Sequence, residues 1–199
     1  MKTLLCIIGI LYGSFSYTLS ANDILKVEIL PIIEPYPFGY FVHHSFKPPP
    51  EKKFIPFFVS IRNVYSSDVF ISEQKNSFGY KSLFFEVKIK DKTFIIERKE
   101  RIFTANTLGL YELKPNRAVL IPFMLNSDWK NERVMTQNIK NKEAFIRACF
   151  ILRKDDPLLL GFKKIGYYRD RFIWTGKVYS DWYSIEDIWF LNGSVFNYE

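Results

Sequence analysis

The sequence is 199 residues long, with 48% hydrophobic, 25% charged and 18% aromatic residues and a net charge of +7 at pH 7. Its length predicts one domain, or two small ones, with an ordinary core, and its composition excludes intrinsic disorder and collagen-like chains. The two cysteines exclude a disulfide-rich scaffold, and the basic charge is compatible with an anionic partner without demonstrating one.

The first twenty residues are typical of a secretory signal peptide. Lys2 precedes an apolar run at residues 4–12, and small residues such as Ser16 and Ser20 follow it. The run is shorter than the ~20 apolar residues that a membrane-spanning helix needs. We therefore predict a signal peptide at residues 1–20, a single domain at residues 21–199, a secreted or periplasmic location and no membrane span after cleavage. A buried N-terminal strand or helix is the alternative interpretation.

The chain from residue 24 onward has the pattern of short β-strands. Residues 25–30 alternate with a period of two, which predicts one buried and one solvated face. Residues 31–50 contain six prolines, which predicts an edge or an irregular segment rather than a central strand. Residues 54–63 and 69–71 follow as two further predicted strands.

The clearest predicted hairpin spans residues 83–96. Apolar residues alternate with charged ones in its first strand, Asp91-Lys92 occupies the predicted turn, and residues 93–96 form the returning strand. Lysines on the solvated face discourage edge-to-edge pairing of sheets, which is the simplest explanation of this charge run.

Three further strands are predicted in the second half of the chain, at residues 118–125, 144–152 and 174–185. The polar segment between the first two is predicted to contain a short helix. Residues 144–152 are apolar on both faces apart from Arg147, which is typical of a central strand. Cys149 lies within this strand and is predicted to be a buried, unreactive thiol.

These elements predict an all-β protein, built as an antiparallel β-sandwich of seven to eight strands. The sequence offers no crossover helices, and its strands alternate between polar and apolar faces. Both observations argue against a parallel sheet.

A family resemblance rests on general strand and turn patterns at residues 59–67, 85–87, 113–116, 146–150 and 174–180. Through them the chain resembles the immunoglobulin-like β-sandwich domains of bacterial secreted and cell-envelope proteins. Two features depart from that pattern, because Asn116 stands where many such domains have glycine and the Cys…Trp…Cys core of antibody-type domains is absent. The resemblance implies a fold and no particular function.

The sequence lacks the motifs of common enzyme chemistry. It contains no glycine-rich phosphate loop, no His-Glu-x-x-His, no paired cysteine motif and no Gly-x-Ser-x-Gly. His43 and His44 are adjacent, and neighbours on a strand point to opposite faces, so they do not readily converge on one metal ion. We therefore predict no enzyme activity, no catalytic residue, no metal and no cofactor. The dispersed charge predicts no nucleic-acid partner.

Two groups of basic and aromatic residues are candidates for binding a partner. The first lies in the long connection at residues 155–172, which either binds a partner or packs onto the core. The second is C-terminal, where aromatic side chains either stack on sugars and anchor proteins or belong to the core. The candidates are Lys163, Lys164, Tyr167, Tyr168, Arg169 and Arg171 in the first group, and Trp182, Tyr183 and Trp189 in the second.

These observations predict a secreted, non-catalytic interaction or structural module of the cell envelope, with another protein or an envelope glycan as its partner. One alternative is a protease-inhibitor-like sandwich that presents the loop at residues 155–172. The other alternative is a carbohydrate-binding module that uses Trp182, Tyr183 and Trp189.

Overall fold

A computed structural model of the chain describes residues 20, 23–31, 56–74, 79–101, 109–124, 128–131, 133–134, 143–156, 159–160 and 170–188. The predicted signal peptide, apart from Ser20, lies outside the described residues, as do His43 and His44. Within the described ranges the strands form antiparallel ladders, so the predicted all-β antiparallel class is confirmed. No helix in these ranges is long and apolar enough to cross a membrane.

The described part of the chain forms ten strands rather than the seven to eight predicted. Two differences explain the excess, because residues 110–113 form an additional strand and the segment predicted as one strand at residues 174–185 contains two. In chain order the strands are β1 Leu25–Pro31, β2 Pro56–Asn63, β3 Val69–Ser72, β4 Leu83–Ile89, β5 Lys92–Ile96, β6 Leu110–Leu113, β7 Ala118–Met124, β8 Ala144–Leu152, β9 Gly176–Tyr179 and β10 Tyr183–Ser184.

The strands are distributed over two larger sheets and one strand pair. The first sheet has the order β1-β2-β7, and the second has the order β10-β8-β4-β5 with β9 also paired to β8. β3 and β6 form the separate pair. β8 is a central strand, as predicted, because β4 lies along one side of it and β9 and β10 follow one another along the other side.

The first sheet directs one apolar face toward the core. Phe57 and Ile61 of β2 are fully buried, and β1 buries Val27 and Ile29 while the residues between them remain accessible. The predicted period-two alternation of residues 25–30 is therefore confirmed. β7 contains Pro122, which the sheet tolerates because β7 is an edge strand within the described residues and needs fewer backbone donors.

A cluster of aromatic rings contains residues of both larger sheets. The ring centroid of Phe85 in β4 lies 5.3 Å from that of Phe57 in β2 and 5.2 Å from that of Phe123 in β7. Trp129 packs on the same cluster at 5.5 Å from Phe85 and 5.4 Å from Phe123. These four residues, which we call the ring cluster, are at most 2% exposed. Buried aromatic pairs of this geometry add to the hydrophobic stabilisation of a core.

Asn63 ends β2 and fixes the turn that follows it. Its side-chain amide donates to the carbonyls of Ser67 and Leu113 at 2.8 and 2.7 Å, and its Oδ1 accepts from the backbone N–H of Tyr65 at 2.8 Å. Nearby, Asn116 adopts a φ of 62°, in the left-handed region that glycine and asparagine tolerate best. This geometry explains why asparagine is suited to the position where the resemblance expects glycine.

The hairpin of β4 and β5 turns at Lys90 and Asp91. The register pairs Ile89 with Lys92, so the predicted turn at Asp91-Lys92 is wrong by one residue. Lys90 has a φ of 52°, a conformation that the hairpin turn requires and that lysine rarely adopts. The sequence has no glycine or asparagine at this position to indicate the turn, which explains why the predicted turn differs from the observed one by one residue.

Candidate functional site

The second sheet has an outer face, which we define as the side of β4, β8 and β9 that points away from the ring cluster. The register pairs Glu86 with Arg147. It also pairs Cys149 with Phe84 on one side and with Tyr179 on the other. Directly paired residues of antiparallel strands point to the same side of a sheet, so these side chains share the outer face.

Arg147 lies at the centre of the outer face. Its Nε and Nη2 atoms donate to the same carboxylate oxygen of Glu86, at 2.9 and 2.6 Å. Its guanidinium carbon lies 4.0 Å from the ring centroid of Tyr179 and 4.4 Å from that of Trp182. One carboxylate and two aromatic rings therefore fix this cation, through charge-assisted hydrogen bonds and cation–π contacts.

Lys177 extends this arrangement along the sheet. Its Nζ lies 4.6 Å from the ring centroid of Tyr179 and 5.7 Å from that of Phe84. A hydrogen bond with the side chain of Tyr179 raises the pKa of Lys177 above its ordinary value. Rings and cations thus alternate in a row, which we call the cation–aromatic ladder and which consists of Phe84, Lys177, Tyr179, Arg147 and Trp182.

A break in the sheet at Ser180 precedes Trp182 in the chain. The backbone N–H of Ser180 donates to the carbonyl of Ala148 at 2.9 Å, and the N–H of Ala148 donates to the Ser180 hydroxyl at 2.9 Å. The hydroxyl itself donates to the carbonyl of Asp181 at 2.7 Å. The serine side chain therefore replaces a backbone acceptor at this point. The sheet continues with β10 at Tyr183, and Trp182 lies against Arg147 in the cation–aromatic ladder.

Several apolar side chains remain accessible on or beside the outer face. Trp182 and Phe145 are each 37% exposed, and Ile95 is 51% exposed. Next to Phe145 lies a shallow, open depression of about 530 Å³. Its walls are Lys88, Lys90, Asp91, Glu143 and Phe145.

Cys149 belongs to the same face but is fully buried. Burial raises its pKa to about 12, so the thiol is protonated at neutral pH. Because the thiolate is the nucleophilic form of cysteine, this environment suppresses its reactivity. The predicted burial of Cys149 is confirmed.

A second cation is held among rings at the other side of the hairpin. The guanidinium carbon of Arg98 lies 4.9 Å from the ring centroids of Tyr80 and Trp129 and 5.5 Å from that of Phe123. Burial lowers the pKa of Arg98. Because this cation contacts rings of the core, it supports the packing of Trp129 and is not part of the outer face.

The structure describes three of the nine predicted binding residues. Trp182 lies in the cation–aromatic ladder, and the guanidinium of Arg171 lies 5.0 Å from the ring centroid of Phe70. Tyr183 is half-buried, pairs with Ile146 and packs against the core. The other predicted residues lie outside the described part of the chain, and they are Lys163, Lys164, Tyr167, Tyr168, Arg169 and Trp189.

The sequence did not identify the cations and rings that surround Trp182. Arg147 stood out as the one charge in an apolar run, but nothing in the sequence connected it to Glu86 or Tyr179. These residues are 61 and 32 positions away and meet only through the strand order. The sequence did contain one relevant signal, the alternation of charged and apolar residues along β4. This alternation shows which side chains of β4 share a face, but the neighbouring strand β8 is known only from the structure.

The described residues hold no group of three or more histidine, cysteine, aspartate or glutamate side chains placed to bind a metal ion. Comparison with known proteins gives no match to a family model, to a curated protein or to a solved structure. Within the described residues the chain is an all-β protein with antiparallel sheets.

Proposed function

We propose that this protein is a secreted, non-catalytic β-sandwich module of the cell envelope that binds a partner through its outer face. The observation that carries the proposal is the cation–aromatic ladder, in which rings are fixed in place and one of them, Trp182, is 37% exposed. Tryptophan, tyrosine and arginine, the residue types that form the centre of the ladder, are enriched among the anchor residues of binding surfaces.

The sandwich arrangement is supported by the ring cluster. Phe57 of the first sheet meets Phe85 of the second at 5.3 Å, edge to face, with an interplanar angle of 86°. Rings that interdigitate between two inner faces are what two packed antiparallel sheets produce. An immunoglobulin-like order of the strands is part of the proposal and rests on the sequence resemblance.

The rigidity of the ladder supports a binding role. Arg147 lies between Tyr179 and Trp182 and is tied to Glu86, so each ring has a neighbour that restrains its rotation. A binding surface whose side chains are already ordered loses less conformational entropy when a ligand arrives. Secretion is supported by the pattern of residues 1–20 and is compatible with a cysteine that is buried rather than exposed to oxidants.

Cosedimentation with isolated cell envelopes of the producing organism tests the proposal. We expect the purified protein to sediment with the envelopes and the Trp182→Ala variant to lose most of this binding. Phe172→Ala is the matched control, because Phe172 is a similarly accessible aromatic residue, 46% exposed, whose ring lies against Tyr65 rather than in the ladder.

The two variants also separate the alternative functions. Loss of binding in Phe172→Ala with full binding in Trp182→Ala would contradict the outer-face proposal and favour the loop at residues 155–172, as in a protease-inhibitor-like module. Inhibition assays with a protease panel then test that alternative directly. A carbohydrate-binding module is the second candidate function, and the exposure of Trp182 is the observation that favours it.

A further inference from the structure

We infer that the occupant of the outer face is an uncharged glycan chain, whose sugars stack on Trp182 and extend toward the depression beside Phe145. This inference rests on the proposed function, because it names the partner of the same surface. Four observations lead to it, namely the free ring surface, the near balance of charge, the supply of hydrogen-bonding groups and the depression.

The aromatic residues of the face provide stacking surfaces that are partly free. Arg147 covers one side of the Trp182 ring at 4.4 Å, and more than a third of the Trp182 side chain remains accessible. Phe145, 37% exposed, adds a second ring on the same side of β8. A sugar ring has a flat apolar side of C–H groups, and an accessible indole or phenyl ring on a rigid sheet presents the matching flat apolar surface.

The charges of the face and the depression nearly cancel one another. Glu86 neutralises Arg147 at 2.6 Å, and Glu143 approaches the Nζ of Lys90 at 4.0 Å. A polyanion or a polycation is attracted by a large excess of one sign, and this surface has an excess of only one positive charge although the whole chain has a net charge of +7. The charged residues here are four cations, Lys88, Lys90, Arg147 and Lys177, and three anions, Glu86, Asp91 and Glu143.

The same charged groups supply hydrogen bonds to hydroxyls. Amines such as Lys88 and Lys177 donate, and carboxylates such as Asp91 and Glu143 accept, so donors and acceptors surround the accessible rings. A glycan hydroxyl both donates and accepts, which matches such a mixed lining better than an apolar protein anchor does. The depression of about 530 Å³ beside Phe145 gives the chain a second place of contact.

Titration with defined oligosaccharides tests the inference. The probes are cellohexaose, chitohexaose and mannohexaose as uncharged chains, and a polygalacturonate oligomer as the acidic comparison. Calorimetry and tryptophan fluorescence are expected to show saturable binding of at least one uncharged probe. We expect its affinity to change less than about twofold between about 0.05 M and about 0.5 M salt, because screening acts on charged ligands.

Variants then locate the binding. Trp182→Ala and, independently, Phe145→Ala are expected to weaken binding of the uncharged probe about tenfold or more, as removal of a central anchor does. Phe172→Ala is expected to leave the affinity unchanged. Circular dichroism and urea denaturation of each variant verify that it is folded. If Trp182→Ala does not fold, Phe145→Ala still tests the inference.

Three results would overturn the inference. They are flat titrations with all uncharged probes, binding confined to polygalacturonate and lost with added salt, and affinities that neither Trp182→Ala nor Phe145→Ala changes. These failures are distinguishable from failure of the proposed function. If the protein sediments with envelopes through Trp182 and protease treatment of the envelopes abolishes this binding, the outer face binds a protein and only the glycan inference is wrong.

Discussion

Phe150 lies on the inner face of β8, fully buried and stacked on Trp174 with 5.4 Å between the ring centroids. Replacing it by alanine removes a buried ring and leaves a cavity that its neighbours fill only in part. We predict that Phe150→Ala lowers the free energy of unfolding by about 3–5 kcal/mol. Urea denaturation of the variant beside the parent protein measures this loss.

Lys88→Ala is the control for that substitution. Lys88 is an exposed residue of β4, the strand that pairs with β8, and it points to the solvated side. Its replacement is predicted to change the free energy of unfolding by less than about 0.5 kcal/mol. Equal denaturation midpoints for Phe150→Ala and the parent would show that β8 is not the central strand of the core.

At the scale of residues, the sequence predicts side-chain direction well and partners poorly. The alternation of β8 correctly separates Phe150, Ala148 and Ile146 from Cys149 and Arg147, because direction follows from the two-residue period of a strand. The position of Arg147 between two rings does not follow from any local pattern. It depends on which strands flank β8, and that is decided by the packing of the whole sheet.

At the scale of elements, the break between β9 and β10 depends on one hydroxyl. The Ser180 side chain accepts the buried backbone N–H of Ala148, which would otherwise have no acceptor at this point of the ladder. We predict that Ser180→Ala lowers the free energy of unfolding by about 1–3 kcal/mol, because a buried donor is left unsatisfied. Hydrogen exchange of the Ala148 amide is expected to accelerate in the same variant.

Ser66→Ala is the matched control for the break. Ser66 is an exposed serine in the turn after β2, so its replacement is predicted to change stability by less than about 0.5 kcal/mol. If Ser180→Ala were as stable as Ser66→Ala and the Ala148 amide remained protected, the hydroxyl would not be the acceptor that holds the break.

Each element that the sequence misplaced has its own physical cause. Residues 174–185 have continuous strand character, and the pattern gives no sign that Ser180 interrupts them with a side-chain hydrogen bond. β6 is only four residues long, and its pairing with β3 is a long-range contact that periodicity does not reveal. The predicted position of the hairpin turn differs from the observed one by one residue, because Lys90 adopts a left-handed conformation that lysine rarely adopts.

At the scale of the whole molecule, the ring cluster couples the two larger sheets. Phe57 of β2 and Phe85 of β4 touch edge to face, so truncating one ring removes part of the packing of the other. In a double-mutant cycle of Phe57→Leu and Phe85→Leu we predict a coupling energy of about 0.5–1.5 kcal/mol. Urea denaturation of the parent, both single variants and the double variant supplies the four free energies.

A second cycle shows whether that coupling is specific. Phe57→Leu is combined with Phe150→Leu, since Phe150 is equally buried but stacks on Trp174 instead of on the cluster. The two effects are predicted to add within about 0.5 kcal/mol, as they do for independent sites. Additivity in both cycles would contradict the contact between the sheets.

The class of the fold was predictable because period-two alternation and short apolar runs set the preference for strands locally. The order of the strands was not predictable, because β2 pairs with β7 and β4 with β8 across more than fifty residues. The composition of the outer face was not predictable for the same reason, because it depends on the order of the strands. Trp182 was recognisable as a candidate from its type, whereas the ladder around it exists only after three strands have assembled.

The stability of the whole molecule is predicted to fall at alkaline pH. Burial raises the pKa of Cys149 from its ordinary value of 9.0 to about 12, and burial likewise raises the pKa values of Tyr111 and Tyr183. Above pH 9 the unfolded chain therefore releases protons that the folded chain retains. Because the unfolded state then binds fewer protons, the free energy of unfolding decreases between about pH 9 and about pH 12.

Cys149→Ala isolates the contribution of the thiol to this decline. A single group contributes a slope of at most about 1.4 kcal/mol per pH unit, so the variant is predicted to show a shallower loss of stability above pH 9 than the parent. Between pH 6 and 8, where the thiol is protonated in both states, the two slopes are predicted to agree whatever the substitution costs at neutral pH. Urea denaturation at intervals across the range gives both slopes, and identical slopes above pH 9 would show that Cys149 is accessible to solvent in the folded protein.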